Sequence, residues 1–377
     1  MWHVAQAYMD LARGEMSLAQ QEADTALGLV PLDAHGTLAA ATIALRRVDR
    51  GRAERLLDQL ADRARGAGFG AIRARGELLR TELMLDTGRT HEALVVIEAL
   101  DREHPRVATV KNFLGLARGA VGDMVGAREA LEAAARIDPR MDAPHVNLAR
   151  LARDSGELLA ARSHLQRALE IAPDSGEAWL AYGIVLAELH ENTARHALVR
   201  AAELSPEDAA PYVAQGNLDL ADNNLSGAVE SYRHALTRNA DEPVARTNIG
   251  IALVRSGDRA GALEAFEQAA RRAPQMGQAW NGLGVLRLQM GNAEQAVGAL
   301  QQASALLPED PNPSLNLGLA LEALQRWNDA ARAFREALRR APGQAVAMEH
   351  LIRLTPPAER ERELRRLHEP GLHAHRG

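Results

Sequence analysis

Cysteine is absent from the chain, so disulfides, thiolate catalysis and zinc–thiolate sites are excluded. Aromatic residues make up only 3%, against 46% hydrophobic residues overall with alanine abundant, a balance that favours close-packed helices over sheets. No apolar stretch approaches the roughly 18 to 20 residues that span a bilayer, and the N-terminus lacks the basic start and apolar core of a signal peptide. A chain without direct membrane insertion is therefore expected, cytoplasmic as written, or periplasmic if it is a fragment. Lysine occurs once, at Lys111, among 44 basic residues, a skew expected from codon bias in a GC-rich bacterial genome and without functional meaning. The net charge of −6 is modest, and the basic residues are scattered instead of forming runs, which argues against nucleic-acid or lipid-surface binding.

What is present is periodicity. Prolines stand at Pro105, Pro139, Pro173, Pro206, Pro274, Pro308 and Pro342, with gaps of 34, 34, 33, 68, 34 and 34 residues, so a single 34-residue unit accounts for all of them. Small residues recur in step. The eighth place of the unit holds Gly115, Ala149, Gly183, Gly216, Gly250, Gly284 and Gly318. The twentieth holds Ala127, Ala161, Ala194, Ala228, Ala262, Ala296 and Ala330, and the twenty-seventh Ala134, Ala168, Ala201, Ala235, Ala269, Ala303 and Ala337. Bulk is supplied by Trp179, Tyr212 and Trp280 at the fourth place and by Tyr232, Phe266 and Phe334 at the twenty-fourth. Each unit reads as two antiparallel helices whose backbones approach at the small residues. Gly88, Gly122, Gly156, Gly257 and Gly291, with Asn223 in the same place, end the first helix because they tolerate a left-handed backbone. The prolines stop the second helix.

With these residues in place, the chain resembles the tetratricopeptide repeats, whose Trp, Leu-Gly, Tyr, Ala, Phe, Ala and Pro pattern falls at the same places. Residues 277–310, from Trp280, Leu283 and Gly284 through Ala296 and Ala303 to Pro308, are most similar to it. The resemblance covers about nine-tenths of the chain and implies an all-α, right-handed superhelical solenoid. Units are placed at 1–33, 37–70, 74–107, 108–141, 142–175, 176–208, 209–242, 243–276, 277–310 and 311–344. In the second, Leu56 replaces the twentieth-place alanine and the terminal proline is missing; in the third, Thr81 and Leu100 stand where Gly and Ala are expected.

Two irregularities are candidate hinges: the glycine- and arginine-rich stretch from Arg63 to Gly76, and the unit 176–208, which lacks one residue near His190 to Thr193. Residues 345–355 read as a capping helix halted by Thr355, Pro356 and Pro357, and 356–377 as a charged tail containing His368, His373 and His375.

No motif supports catalysis, a cofactor or a metal. Gly66-Ala67-Gly68-Phe69-Gly70 follows a helix and lacks the strand and the spacing of a dinucleotide fingerprint. The histidines lack metal-ligand spacing with acidic partners, and a linear stack of helices offers no pocket that gathers three distant polar residues. In the tetratricopeptide repeats the second, fifth, ninth, twelfth and thirteenth places face a concave surface. Carried over, these give Leu180, Ile184 and Ala187, then Val213, Asn217 and Leu220, then Thr247, Ile251 and Val254. Asn281, Val285 and Leu288 follow, then Leu315, Leu319 and Glu322. The stripe is mostly aliphatic, which marks a surface for a protein or peptide segment, the alternative being packing between neighbouring units. Asn147, Asn248 and Asn316 occupy the sixth place, where peptide-gripping members of the class carry an asparagine ladder; here the ladder is interrupted. The scattered Arg150, Arg153 and Arg255 do not form a basic carboxylate clamp. The resemblance thus implies a non-enzymatic interaction scaffold, and family habit offers as alternative the substrate-recruiting part of a larger glycosyltransferase or sulfotransferase, or of an envelope export machine.

Overall fold

The structure, a computed structural model, describes residues 1–31, 33–63 and 70–360. Among these the chain forms twenty-one α-helices, a 3-10 turn at Pro357–Glu359, and no strand. It divides into two compact units, Met1–His190 and Glu191–Gly377, where a single stack was expected; the division falls at the repeat that is one residue short. The first unit holds α1 (Trp2–Ala12), α2 (Met16–Leu29), α3 (Ala34–Arg46), α4 (Arg50–Arg63), α5 (Gly70–Asp86), α6 (Thr90–Glu103), α7 (Ala108–Ala120), α8 (Met124–Ile137), α9 (Ala143–Asp154), α10 (Leu158–Ile171) and α11 (Gly176–Glu188). The second holds α12 (Ala194–Leu204), α13 (Ala210–Ala221), α14 (Leu225–Arg238), α15 (Pro243–Ser256), α16 (Arg259–Arg272), α17 (Gly277–Gln289), α18 (Ala293–Leu306), α19 (Pro311–Ala323), α20 (Trp327–Arg340) and α21 (Ala345–Leu354).

Helix pairing follows from the small residues. Every alanine at the twentieth and twenty-seventh places is at most 1% exposed, so these are the points where backbones meet. The eighth place receives the twenty-fourth. A Cβ added at Gly216, Gly250 or Gly318 would lie 2.5, 2.7 or 2.4 Å from the ring of Tyr232, Phe266 or Phe334, and one at Gly115 would lie 2.5 Å from Leu131. Glycine in these four repeats is therefore a requirement of close approach across the pair. At the fourth place, the Trp179 and Trp280 indoles donate to the carbonyls of Pro173 and Pro274, 2.8 and 2.9 Å away, tying each repeat to the end of the one before.

The turn inside each pair uses one left-handed residue. Six are glycines, Gly14, Gly88, Gly122, Gly156, Gly257 and Gly291, and four are Val48, His190, Asn223 and Gln325. Successive gaps are 34, 40, 34, 34, 34, 33, 34, 34 and 34 residues. Val48 corrects the register of the second repeat. Its left-handed turn lies 34 residues after Gly14, so the repeat begins at Ala34, the start of α3, and not at residue 37. The twentieth-place alanine is then the fully buried Ala53, not absent with Leu56 in its stead. The register was hidden because valine replaces the turn glycine and no terminal proline marks the end. In the third repeat Thr81 does stand at the eighth place, fully buried, with its hydroxyl donating to the Glu77 carbonyl at 2.8 Å. The glycine cluster from Gly66 to Phe69 and the tail histidines lie outside the described residues.

Within each unit the first helices of successive repeats also touch one another: α5, α7, α9 and α11 in the first unit, and α13, α15, α17 and α19 in the second. A row of helices in mutual contact is the inner row of its stack, and it carries the candidate surface.

Candidate partner-binding surface

Among the fifteen residues singled out for the groove, Leu180 and Ile184 lie in the first unit. Both are half-buried on α11 and, with Val146, Ala149 and Arg153, line a recess of about 170 Å³ between α9 and α11. Arg153 is held there by Glu188, with Nε and Nη2 within 2.5–3.0 Å of its carboxylate, which keeps the guanidinium pKa raised.

The remaining thirteen lie on α13, α15, α17 and α19 of the second unit. Asn217 and Ile251 are exposed, Ile251 at 38% and outside any core cluster. Val213, Leu220, Val254, Val285, Leu288 and Leu319 are half-buried, each resting one side on a hydrophobic cluster of its own or the next repeat. Two expected lining residues do not qualify. Thr247 is 2% exposed, its hydroxyl donating to the Pro243 carbonyl at 2.9 Å, and Leu315 is buried in the cluster around Phe334. Both stand at the fifth place, where Leu180, Val213 and Asn281 of other repeats stay half-buried, so the place alone does not set the burial. The aliphatic stripe is thus partly inter-repeat packing and partly open surface.

The asparagines pair across repeats. Asn147 donates to Asn112 Oδ1 at 2.9 Å, Asn248 to Asn217 Oδ1 at 2.9 Å, and Asn316 to Asn281 Oδ1 at 3.2 Å. In the middle pair the Tyr232 hydroxyl also donates to Asn217 Oδ1 at 2.7 Å, and burial pushes that phenol up to about 12 despite the Asn248 hydrogen bond. The first pair satisfies the buried carboxamide of Asn112, and the other two, at half-buried or exposed positions, leave carboxamide donors and acceptors at the surface. Beneath the same helices Asp219, 3% exposed, accepts from Arg195 at 2.8 Å, Asn224 at 3.0 Å and Ser231 at 3.3 Å.

Sequence reasoning missed one opening. About 460 Å³ in volume, it lies in the first unit between α5, α7 and α9, over Gly119 and against Phe113, Leu116 and Asn147. Its signal was available: the twelfth place, which reads Leu45, Leu85, Arg153, Ala187, Leu220, Val254, Leu288 and Glu322 in the other repeats from the second onward, is glycine in α7. A missing side chain at a groove position leaves a hollow. Among the described residues none are grouped so as to hold a metal ion, and no helix is long and apolar enough to cross a membrane.

Stacked helix pairs with an inner row of half-open side chains define a helical-repeat protein, and the comparisons give its kind. Family descriptions for the tetratricopeptide repeat match residues 120–183, 247–311 and 286–345. The matched stretches are tetratricopeptide repeats, and arrays of such repeats serve as protein–protein interaction scaffolds. No curated protein matches it. Two solved structures share the fold. Cut9, in a crystal structure of the APC/C heterotetramer Cut9–Hcn1, is 12% identical over 93% of this chain and 96% of its own, with a TM-score of 0.51. Yeast Tom70 is 14% identical over 98% of this chain and 90% of its own, with a TM-score of 0.57.

Proposed function

We propose that this chain is a non-enzymatic scaffold that holds a segment of a partner protein against the inner helices of its second unit. The observation that carries the reading is Ile251, an exposed aliphatic side chain in the middle of a row of half-open aliphatics on α13, α15, α17 and α19. Core packing does not need it, and an apolar partner surface would remove it and the free sides of its neighbours from water. The surface carboxamides of Asn217, Asn248, Asn281 and Asn316 run beside that row and supply polar contacts that set the register of a bound chain.

Charge substitution tests the reading. Ile251→Glu places a carboxylate that must be desolvated on binding, which costs several kcal/mol and weakens the partner complex by more than about a hundredfold. Free protein keeps its melting temperature, because water reaches position 251. Val285→Glu abolishes binding too but also destabilises the fold by about 1–3 kcal/mol, since Val285 rests on the cluster around Phe334. Affinity for a captured partner, measured on both variants beside melting curves, decides: unchanged affinity with Ile251→Glu removes the second unit's inner surface as the binding site.

A further inference from the structure

The recess over Gly119 has the size of a ligand site, apolar walls and an unbalanced charge. Its volume of about 460 Å³ falls in the range of roughly 300–1,000 Å³ that bound groups occupy. The walls come from Leu85, Phe113, Leu116 and Leu151. Three carboxylates, Glu82, Asp86 and Asp154, share the lining with one guanidinium, Arg150, so negative charge is in excess. None of the three carboxylates has a hydrogen-bond or ion-pair partner among the described residues. Glu82 is half-buried; burial raises its pKa, with Asp86 adding to the effect and Arg46 opposing it at longer range. A half-buried carboxylate without a partner is a poor arrangement for a free protein, and it improves when a cation arrives with the ligand.

We propose that this recess receives the cationic side chain, arginine or lysine, of an extended partner segment, with the aliphatic stem over Gly119 and the head group among Glu82, Asp86 and Asp154. Long basic side chains suit such a place because the stem buries against apolar walls while the charge stays at the polar rim. An arginine adds a planar fork that reaches two carboxylates together. The proposal rests on the reading of the chain as a scaffold for partner segments but uses the first unit and none of the residues around Ile251.

The experiment uses the full chain and a fluorescent capped peptide of alternating leucine and arginine, beside its citrulline counterpart, which keeps the shape and removes the charge. Anisotropy titrations are expected to show at least tenfold tighter binding of the arginine peptide. Gly119→Leu fills the hollow. A Cβ at 119 meets only the Ala127 methyl at 3.7 Å, and leucine replaces glycine inside a helix, so the fold holds while binding falls at least tenfold. Asp154→Asn, at an exposed position, weakens binding severalfold, and Ile251→Glu leaves it unchanged. Equal affinity for the citrulline peptide, or full affinity with Gly119→Leu at an undiminished melting temperature, overturns the proposal. Binding lost with Ile251→Glu but kept with Gly119→Leu also overturns it, and in that case leaves the second-unit surface standing. An arginine peptide that depends on Gly119 while a captured partner ignores Ile251→Glu supports the recess and removes the other reading.

Discussion

The two compact units run the same repeat with different fillings. In the first, the twenty-fourth place is aliphatic: Ile97, Leu131 and Leu165 are buried, Leu131 against Gly115 and Leu165 in one cluster with Ala149. In the second it is aromatic in three repeats, where Tyr232, Phe266 and Phe334 press on Gly216, Gly250 and Gly318. Phe266 also reaches Gly282 of the following repeat, so one ring is wedged between two helix pairs. The inner surfaces differ in the same sense. The first unit has open recesses at Gly119 and beside Ile184; in the second the members of the stripe lean on its clusters, and both units carry asparagine pairs between repeats. The small-residue framework is common to both, and what is hung on it decides how each interior is filled.

If the aromatic wedges carry the second unit, truncating one costs most. Phe266→Ala is expected to lose about 3–5 kcal/mol, the upper range for a buried ring, because two glycine-bearing helices cannot collapse onto the space. Leu131→Ala in the first unit loses toward 2–3 kcal/mol on the same scale. Urea unfolding of both variants gives the comparison, and equal losses would erase the distinction between the two interiors.

The shared framework is tested by adding volume. Ala262 is fully buried at the twentieth place, and Ala262→Leu overpacks the helix contact by about 1–3 kcal/mol. Ala260→Leu, two residues away and exposed, is near neutral. Matching midpoints for the two would break the repeat register in that pair.

A smaller effect separates the units by pH. On α9 and α10 the rings of His145 and His164 lie 5.9 Å apart. Burial lowers both pKa values. His164 and Arg167 lower His145 further against Asp142, while Arg128 lowers His164 against Glu132. A histidine whose folded pKa is depressed contributes stability above its unfolded value of 6.5, and that contribution is lost as pH falls from there through the folded value. In the second unit Glu322 behaves otherwise. Burial alone would raise its pKa, but hydrogen bonds from His350 and Arg353 hold it below the ordinary 4.5, so its contribution persists until pH drops beneath that value. Melting temperatures between about pH 7 and pH 5 should therefore fall less for a His145→Gln, His164→Gln double variant than for the parent. Parallel curves would remove the histidine pair as the source of mild-acid sensitivity.

Much of the fold was legible because repeats announce themselves. Alanines at two places and glycine at a third recur only if the same backbone approach recurs, and all the alanines at those places are buried. The second repeat was misplaced by three residues because Val48 adopts a left-handed turn that sequence assigns to glycine or asparagine. For the candidate surface, position within a helix predicted which residues sit on the inner row but not how far each is covered. Thr247 and Leu315 occupy inner-row places and are buried, Thr247 with its hydroxyl against Met276 and Leu315 in the cluster around Phe334.

The sequence by itself determined the helix pair, its 34-residue period and the points of closest approach, since these follow from local propensity and from side-chain volume at fixed spacing. Tertiary structure alone decided how far each inner-row side chain is covered, that asparagines from neighbouring repeats meet, and that carboxylates without partners gather beside the hollow at Gly119. Those outcomes depend on which side chains of different repeats come within reach of one another, and a spacing along the chain does not contain that distance.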